Sequence, residues 1–209
     1  MPSENFFRLS SVKQQYIIDA VKAEITRAAF EDFSIYNIVH QCGISRGSFY
    51  QYFANKEDIY LYLFSVYNKN IMNHVVDSLK ANDGDFFTAI ESGFRFAIRM
   101  LCYKDSKVYR QHLFCNTFFY EKLWKENDFS IEKHPVLHEA RTLINRERLN
   151  VSDDDELGIL IEIINASIIR ECIKILLSNS NEATACENFM RKMDFLKKAY
   201  RKPDTNQQS

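Results

Sequence analysis

The stretch GISRGSFYQYFANKED, residues 43–58, limits the fold of this chain more than any other feature. Gly43 can adopt the left-handed backbone conformation that ends one helix and begins a tight turn. Ser45, two residues later, is a preferred N-cap for the next helix. Phe49 and Phe53 are four residues apart, so both fall on one face of that helix. The pattern predicts a tight turn followed by a short helix with a buried aromatic face.

The face opposite the two phenylalanines has a different composition. At about 100° per residue, Gly47 and Gln51 lie at its centre, flanked by hydroxyl-bearing side chains and one arginine. Helices predicted over 34–41 and 45–52, joined by the turn, have the lengths of a helix-turn-helix, whose second helix enters the major groove of DNA. Small residues allow a close approach to bases, while hydroxyl groups and arginine suit phosphates and base edges. This face therefore indicates DNA binding.

The same residues resemble the DNA-binding domain of the tetracycline-repressor (TetR/AcrR) family. That family shows a string close to G-[VI]-S-[KR]-G-[TS]-[LF]-Y-x-[YHR]-F-x-x-K-[ED], and every fixed position matches from Gly43 to Glu57. The resemblance extends over about residues 12–64. The chain departs from the family at Ala29, where glycine is frequent, and at Phe33, near a frequent threonine. Neither departure breaks the motif.

The resemblance implies a role for each polar residue of the motif. The start of the recognition helix would meet base edges or phosphates, and the tyrosines would contact phosphates. Lys56 would add its charge to the free N–H groups at the start of the fourth helix. The DNA-binding residues implied in this way are Ser34, Tyr36, Ser45, Arg46, Gly47, Ser48, Tyr50, Gln51, Tyr52 and Lys56.

The overall charge does not by itself indicate a nucleic-acid binder. The chain has 27 lysine and arginine residues against 28 aspartate and glutamate residues, a formal net charge of −1. Residues 1–60 also carry slightly more acidic than basic side chains. Helix N-termini and hydroxyl groups bind phosphates as well as cations do. The composition therefore predicts modest non-specific affinity and a shallow dependence on salt.

The pattern along the chain predicts an all-α protein of about nine helices. Only 5 glycines and 3 prolines occur in 209 residues, and apolar residues recur at helical spacing. Pro135 suits the first position of a helix that extends to about Leu149. Ser152 and Asp155 resemble a capping box at the start of the next long helix.

The organisation predicted from these helices has two domains. Residues 1–55 form the helix-turn-helix DNA-binding domain, beginning with a frayed arm over 1–9. Residues 56–202 form a helical ligand-binding and dimerisation domain, which begins with a long helix capped by Asn55. Residues 203–209 are expected to be a disordered tail.

The last two helices, predicted over 153–178 and 182–201, indicate a dimer. A single helix-turn-helix reads one half-site, so a palindrome requires two. The resemblance implies a homodimer built mainly from these helices, and the first carries more apolar surface than one buried face needs. Burial within the subunit is the alternative. The predicted interface residues are Leu157, Leu160, Ile161, Ile164, Ile168, Cys172, Phe189, Met193 and Leu196.

The middle of the chain, 57–150, is rich in aromatic residues and predicts a pocket for an aromatic or lipophilic effector. Aromatic residues at helical spacing suit a core equally well. Glu162 and Asn165 interrupt an apolar arc, so they suit a pocket, an interface or a buried pair. The candidate lining consists of Phe64, Tyr67, Phe94, Met100, Tyr103, His112, Phe118, Phe119, Trp124, Glu162 and Asn165.

Other classes of function lack support in the sequence. It contains no nucleophile elbow, Gly-rich phosphate loop or H-E-x-x-H motif, so no enzyme activity, catalytic residue or cofactor is predicted. His112 with Cys115, and His134 with His138, have ligand-like spacing but no third partner in register, so no metal site is predicted. The 5 cysteines are scattered, and no apolar run reaches membrane-span length, which indicates a cytoplasmic protein. The alternative to a DNA-binding regulator is a helical adaptor that binds protein through the same surface.

Overall fold

A computed structural model describes residues 1–103, 107–114, 135–178 and 180–203. These residues contain ten α-helices and no β-strand, which confirms the predicted fold class. In chain order the helices are α1 (Glu4–Phe7), α2 (Ser11–Arg27), α3 (Ile35–Cys42), α4 (Arg46–Tyr52), α5 (Lys56–Ala81), α6 (Phe86–Cys102), α7 (Lys107–Phe114), α8 (Pro135–Leu143), α9 (Asp154–Leu177) and α10 (Glu182–Tyr200). The predicted tail lies outside the described residues, except for Pro203.

Side chains cap the N-termini of four helices. The hydroxyl groups of Ser34 and Ser45 and the carboxylate of Asp85 each accept a hydrogen bond from the backbone N–H three residues later, at 3.4, 2.9 and 2.9 Å. Asn55 does the same at the start of α5, at 2.9 Å. Gly43 ends α3 with φ 62°, the left-handed conformation that glycine adopts without a steric cost. The predicted roles of Gly43, Ser45 and Asn55 are confirmed.

The predicted capping box at the start of α9 is wrong by one residue. Asp153 is the N-cap, and its carboxylate accepts from the backbone N–H of Glu156 at 2.9 Å. The Glu156 carboxylate in turn accepts from the backbone N–H of Ser152 at 2.7 Å. Both acidic side chains therefore bind N–H groups in the first turn, where the helix dipole also favours negative charge.

Helix α8 ends at Leu143, earlier than the predicted Leu149. The chain beyond it packs against the loop that follows α5, where the backbone N–H of Asn145 donates to the carbonyl of Gly84 at 3.0 Å. A Cβ atom at Gly84 would overlap the carbonyl of Leu143, so this close approach requires glycine. Only a short 3-10 turn, Arg146–Arg148, follows.

The described residues divide into two compact units. The N-terminal unit contains residues 1–68 and 107–114, and the C-terminal unit contains the rest of the described chain. The division falls within α5, whereas the predicted domain boundary precedes that helix. Helix α7, which lies within the predicted ligand-binding domain, packs with α2 in the N-terminal unit.

The N-terminal unit has an aromatic core. Phe6, Phe49, Phe53 and Tyr60 have no exposed surface. Phe6 belongs to α1, so the prediction of a frayed arm over 1–9 is wrong. Its ring lies 5.1 Å from Phe53, centroid to centroid, and it also contacts the rings of two tyrosines. Burial of the Phe6 side chain, together with the backbone hydrogen bond from Ser3 to Tyr52, offsets part of the entropy lost when this segment is ordered.

The C-terminal unit is built around three helices. Helix α6 packs on both α9 and α10, and α9 packs on α10. Phe94 of α6 and Phe189 of α10 are stacked with ring centroids 3.8 Å apart. Glu171 of α9, which is fully buried, binds Lys174 at 3.1 Å and Lys192 of α10 at 2.6 Å. This ion pair network joins the two helices from inside the unit.

No helix in the described ranges is both long enough and apolar enough to cross a membrane.

Candidate nucleic-acid interface

Helices α3 and α4 form the predicted helix-turn-helix. The backbone N–H of Ile44 donates to the carbonyl of Val39 at 3.1 Å, which closes the turn after α3. Phe49 and Phe53 are fully buried, and they fix the rotation of α4 about its own axis. Because these two residues define the inner face, the opposite face of α4 points to solvent.

The structure places all ten predicted DNA-binding residues at the surface of the N-terminal unit. The exposed residues are Tyr36, Ser45, Arg46, Gly47, Tyr50 and Gln51, and the half-buried residues are Ser34, Ser48, Tyr52 and Lys56. Within α4, the Arg46 guanidinium lies 5.8 Å from the centroid of the Tyr50 ring. The hydroxyl groups of Ser45 and Ser48 are 2.9 Å apart. The face therefore presents a guanidinium, a phenol and two hydroxyl groups around the small Gly47, groups that suit phosphates and base edges.

Lys56 has a structural contact that sequence reasoning did not predict. Its ammonium group donates to the backbone carbonyl of Phe30 at 2.9 Å and lies 4.2 Å from the centroid of the Phe30 ring. The start of α5 is thereby joined to the loop that precedes α3. An ammonium group has three donors, so this contact still leaves Lys56 able to bind a phosphate.

A buried carboxylate at Glu24 positions the start of α3. Glu24 is 4% exposed, and it accepts hydrogen bonds from the Arg27 guanidinium, at 2.6 and 2.8 Å, and from the Asn37 amide at 3.0 Å. It also accepts from the backbone N–H of Ser34 at 2.9 Å. Burial raises the pKa of this carboxyl group, but the hydrogen bonds outweigh burial and lower the pKa overall. The carboxylate stays charged and holds Ser34 in place.

Sequence reasoning missed Glu24, although the sequence carries a weak signal for it. The residue falls on the same face of α2 as the buried Val21 and Ala28, where an apolar side chain is the usual choice. An acidic residue on a buried face requires polar partners. The pattern does not identify those partners, because two of them lie beyond the end of α2.

The N-terminal segment caps the recognition helix. The last backbone carbonyl groups of a helix have no hydrogen-bond donor within the helix. Helix α4 also ends without the glycine that often allows the following backbone N–H groups to donate to them. Ser3 supplies the partners: its backbone N–H donates to the carbonyl of Tyr52 at 2.9 Å, and its hydroxyl group donates to the carbonyl of Gln51. Sequence reasoning missed this contact as well, because Ser3 is far from α4 in the chain.

The predicted ligand-binding residues are divided between the two units. Phe64, Tyr67 and His112 belong to the N-terminal unit, where both aromatic rings contact Phe114 and where the His112 Nδ1 atom lies 2.6 Å from the carbonyl oxygen of Ile25. The C-terminal unit contains Phe94, Met100, Tyr103, Glu162 and Asn165. Phe118, Phe119 and Trp124 lie outside the described residues.

Three of these residues have surroundings that differ from a pocket lining. Phe94 is 2% exposed and packs in the core against Phe189, so it fills space inside the unit. Glu162 and Asn165 are exposed on α9 and therefore do not form a pair in the core.

A groove of about 460 Å³ at the end of α10 is lined by Lys197, Lys198, Arg201, Lys202 and Pro203. Its lining is basic and does not match the expected aromatic pocket.

The predicted interface residues of α9 and α10 lie mostly inside their own subunit. Five of them have at most 1% exposed surface: Leu157, Leu160, Ile164, Phe189 and Met193. Ile161, Ile168, Cys172 and Leu196 are half-buried. Helix α9 is apolar on several sides, so periodicity alone did not separate its inner face from its outer face. The exposed large apolar residues of this region are Ile159, Ile163, Ile173, Leu177 and Phe195.

Among the described residues, no group of three or more histidine, cysteine or acidic side chains has an arrangement that could hold a metal ion. Cys115 and His134, named in the two spacings considered above, lie outside those residues. Cys172 is half-buried, and burial raises the pKa of its thiol to about 12. Such a thiol is almost entirely protonated at neutral pH and is a poor nucleophile.

Two family models match the chain. The model for "Bacterial regulatory proteins, tetR family" matches residues 17–63, and the model for "Tetracyclin repressor-like, C-terminal domain" matches residues 85–198. The first match contains the helix-turn-helix, and the second covers more than half of the chain. No curated relative matches the chain in sequence.

Solved structures share the fold. A transcriptional regulator titled as TetR family from Chloroflexus aurantiacus J-10-FL is 20% identical, with a TM-score of 0.52 over 97% of this chain and 100% of that chain. A putative TetR-family regulator from Mesorhizobium loti MAFF303099 is 18% identical, with a TM-score of 0.60 over 92% and 98%. The dihydroxyacetone kinase operon activator DhaS is 17% identical, with a TM-score of 0.58 over 92% and 100%. The helix-turn-helix, the helical C-terminal unit and both family matches agree: the chain belongs to the tetracycline-repressor family of bacterial transcriptional regulators.

Proposed function

We propose that the protein is a homodimeric regulator that binds a palindromic DNA operator and releases it when a small effector binds. The observation that carries this proposal is the outer face of α4, where Arg46, Gly47 and Gln51 are exposed opposite the buried Phe49 and Phe53. A short helix held in this way can enter the major groove with its small residue against the bases. The ten surface residues of the helix-turn-helix are the proposed DNA contacts.

The composition of the same face favours DNA binding over binding of a protein partner. Protein interfaces have an apolar centre, and hot spots are well-packed aromatic or aliphatic anchors. The centre of the α4 face is instead glycine and glutamine, with hydroxyl groups and a guanidinium around it. These groups match phosphate oxygens and base edges better than an apolar pocket.

The effector response that we propose depends on α5. Residues of this helix belong to both units, because the division of the chain falls within it. An effector that binds the C-terminal unit and changes the orientation of α5 would change the distance between two recognition helices in a dimer. The effector itself is proposed to be aromatic or lipophilic, since the middle of the chain is rich in aromatic side chains.

Repression is the form of regulation that we propose, and activation is the second candidate. The structural neighbour DhaS is named an operon activator, so this fold is compatible with activation. At 17% identity the likeness is one of fold, so the neighbour's role is not assigned to this chain. Transcription in vitro from a promoter that contains the operator separates the two, since a repressor lowers the transcript yield and an activator raises it.

Selection of bound duplexes from a random DNA pool tests the proposal. The wild-type protein is expected to enrich a palindrome, and Arg46→Ala is expected to lose that enrichment because it removes a donor to bases or phosphates. Arg99→Ala is the matched control, since Arg99 is an exposed arginine of the C-terminal unit with only a 3.8 Å ion pair to Glu182. Absence of enrichment by the wild-type protein at low salt, with and without candidate effectors, would contradict DNA binding and favour the adaptor.

A further inference from the structure

The outer face of α9 carries an exposed stripe with a regular repeat. Its members follow one another at spacings of four and three residues, so they form one line along the helix. Ile159 and Leu177 at the two ends are 56% and 69% exposed, unusually high for large apolar side chains. The stripe consists of Ile159, Ile163, Ala166, Arg170, Ile173 and Leu177, and all six are exposed.

Two charged side chains lie within or beside this stripe without partners among the described residues. Glu162 and Arg170 are exposed, and neither forms an ion pair or hydrogen bond with any described residue. They cannot bind each other within α9, because eight residues of helix separate them by about 12 Å. Covering the stripe would therefore bury two opposite charges, which is costly unless each meets a partner.

The stripe is complementary to itself in one antiparallel register. Ala166 lies halfway between Glu162 and Arg170, and also halfway between Ile159 and Ile173. When two copies of α9 cross about a two-fold axis at Ala166, Glu162 faces Arg170 of the partner subunit, and Ile159 faces Ile173 of the partner subunit. An isologous interface repeats each contact, so both charges of both subunits are paired. A small residue at the crossing point allows the two helices to approach closely.

We infer that a second copy of this chain covers the outer face of α9 in this register, with paired Glu162 and Arg170 side chains selecting it. This inference rests on the homodimer of the proposed function and adds the residues that determine which partner fits. Charge complementarity favours a second copy as the occupant, since the same stripe supplies both halves of each match. Exposed Phe195 of α10 enlarges the apolar surface of this unit.

Charge reversal at Glu162 and Arg170 tests the register in four samples: two single variants, their mixture and the double variant. Glu162→Arg alone and Arg170→Glu alone each place like charges opposite each other twice in a homodimer. We expect each to raise the dimer dissociation constant at least about a hundredfold, since like charges at an interface cost several kcal/mol. A mixture of the two single variants is expected to form a heterodimer with both pairs restored, and the double variant is expected to form a homodimer again.

Analytical ultracentrifugation measures the dimer dissociation constant of the two single variants, their mixture and the double variant. Circular dichroism confirms that each variant is folded. Lys22→Glu, an exposed charge reversal in the N-terminal unit, is the control and should dimerise like the wild-type protein. A wild-type monomer at micromolar concentration would contradict the homodimer and the register together. A wild-type dimer that neither single variant weakens, or that Arg170→Glu strengthens, would overturn the register and leave the homodimer standing.

Discussion

Among the described residues, each unit contains one buried glutamate, and the two glutamates have different roles. Glu24 in the N-terminal unit is 4% exposed, and Glu171 in the C-terminal unit is 0% exposed. Hydrogen bonds lower the pKa of both carboxyl groups although burial raises it, so both remain charged. In each case a negative charge is held inside the protein by donors that compensate for the lost water.

The two carboxylates have different hydrogen-bond donors. Each carboxylate therefore positions a different part of the molecule. Glu24 binds the backbone N–H of Ser34 and thereby the first residue of the helix-turn-helix. Within the described part of the chain, the partners of Glu171 are lysine side chains, Lys174 on its own helix and Lys192 on α10. The first contact fixes a backbone at the candidate DNA interface. The second holds two helices together beneath the face that we assign to the dimer.

The largest effect is expected from Glu24→Ala. The substitution leaves the half-buried Ser34 N–H and Asn37 amide without their acceptor, which is expected to cost about 3 kcal/mol of unfolding free energy. Urea unfolding measures the loss, and DNA affinity should fall at temperatures where the variant is folded. Glu31→Ala, an exposed neighbour in the following loop, should stay within about 0.5 kcal/mol of the wild-type protein. Equal stability of Glu24→Ala and Glu31→Ala would contradict the positioning role.

A smaller effect is expected from Lys192→Met. Glu171 keeps Lys174 but loses the 2.6 Å bond across to α10, so the C-terminal unit should lose about 1–2 kcal/mol. The matched control is Lys198→Met, an exposed lysine on the same helix. Dimerisation should weaken with Lys192→Met, while the DNA contacts of α4 are untouched. If Lys192→Met lowers stability no more than its control does, the bond contributes nothing measurable.

Acid should destabilise the wild-type protein more steeply than Glu171→Gln. Because the folded pKa of Glu171 lies below its ordinary value of 4.5, the unfolded chain takes up a proton first as the pH falls. The stability that this carboxylate provides is present above about pH 5 and is lost as the pH falls through the folded pKa. The free energy of unfolding, measured by urea titration from about pH 6 to pH 3, should therefore fall less in the variant. Identical slopes would mean that the pKa is not lowered.

The smallest effect is expected at the cap of the recognition helix. Ser3→Ala removes the hydroxyl donor to Gln51 but keeps the backbone N–H donor to Tyr52, so global stability should fall by only about 0.5–1 kcal/mol. Amide hydrogen exchange in the last turn of α4 should rise, while exchange in α9 should not. Ser11→Ala, an exposed serine at the start of α2, is the control. Unchanged exchange in α4 would contradict the cap.

Sequence reasoning predicted the helix-turn-helix almost residue by residue because its determinants are local. The left-handed Gly43, the Ser45 cap and the phenylalanines at 49 and 53 all act within one turn of their own position. The same reasoning failed for Ser3 and Phe6, because their partners at the end of α4 and in α5 are distant in the sequence. Local patterns contain no information about such contacts.

The interface prediction shows a different limit. The apolar surface of α9 supports the predicted role of the last two helices in a dimer, yet Leu157, Leu160 and Ile164 face the inside of the subunit. On a helix that is apolar on several sides, periodicity does not identify the face that the neighbouring helices α6 and α10 will cover. Fractional exposure in the folded unit is what separates the inner face from the stripe at Ile159 and Ile173.

The central claim is that two copies of α4 read two halves of one operator. Its most direct test is the stoichiometry of the complex with the palindrome recovered by selection, measured by sedimentation of labelled duplex with the purified protein. We expect two protomers per duplex, and we expect that complex to be lost when about five base pairs, half a helical turn, are inserted between the half-sites. One protomer per duplex, or binding that is indifferent to the insertion, would contradict it.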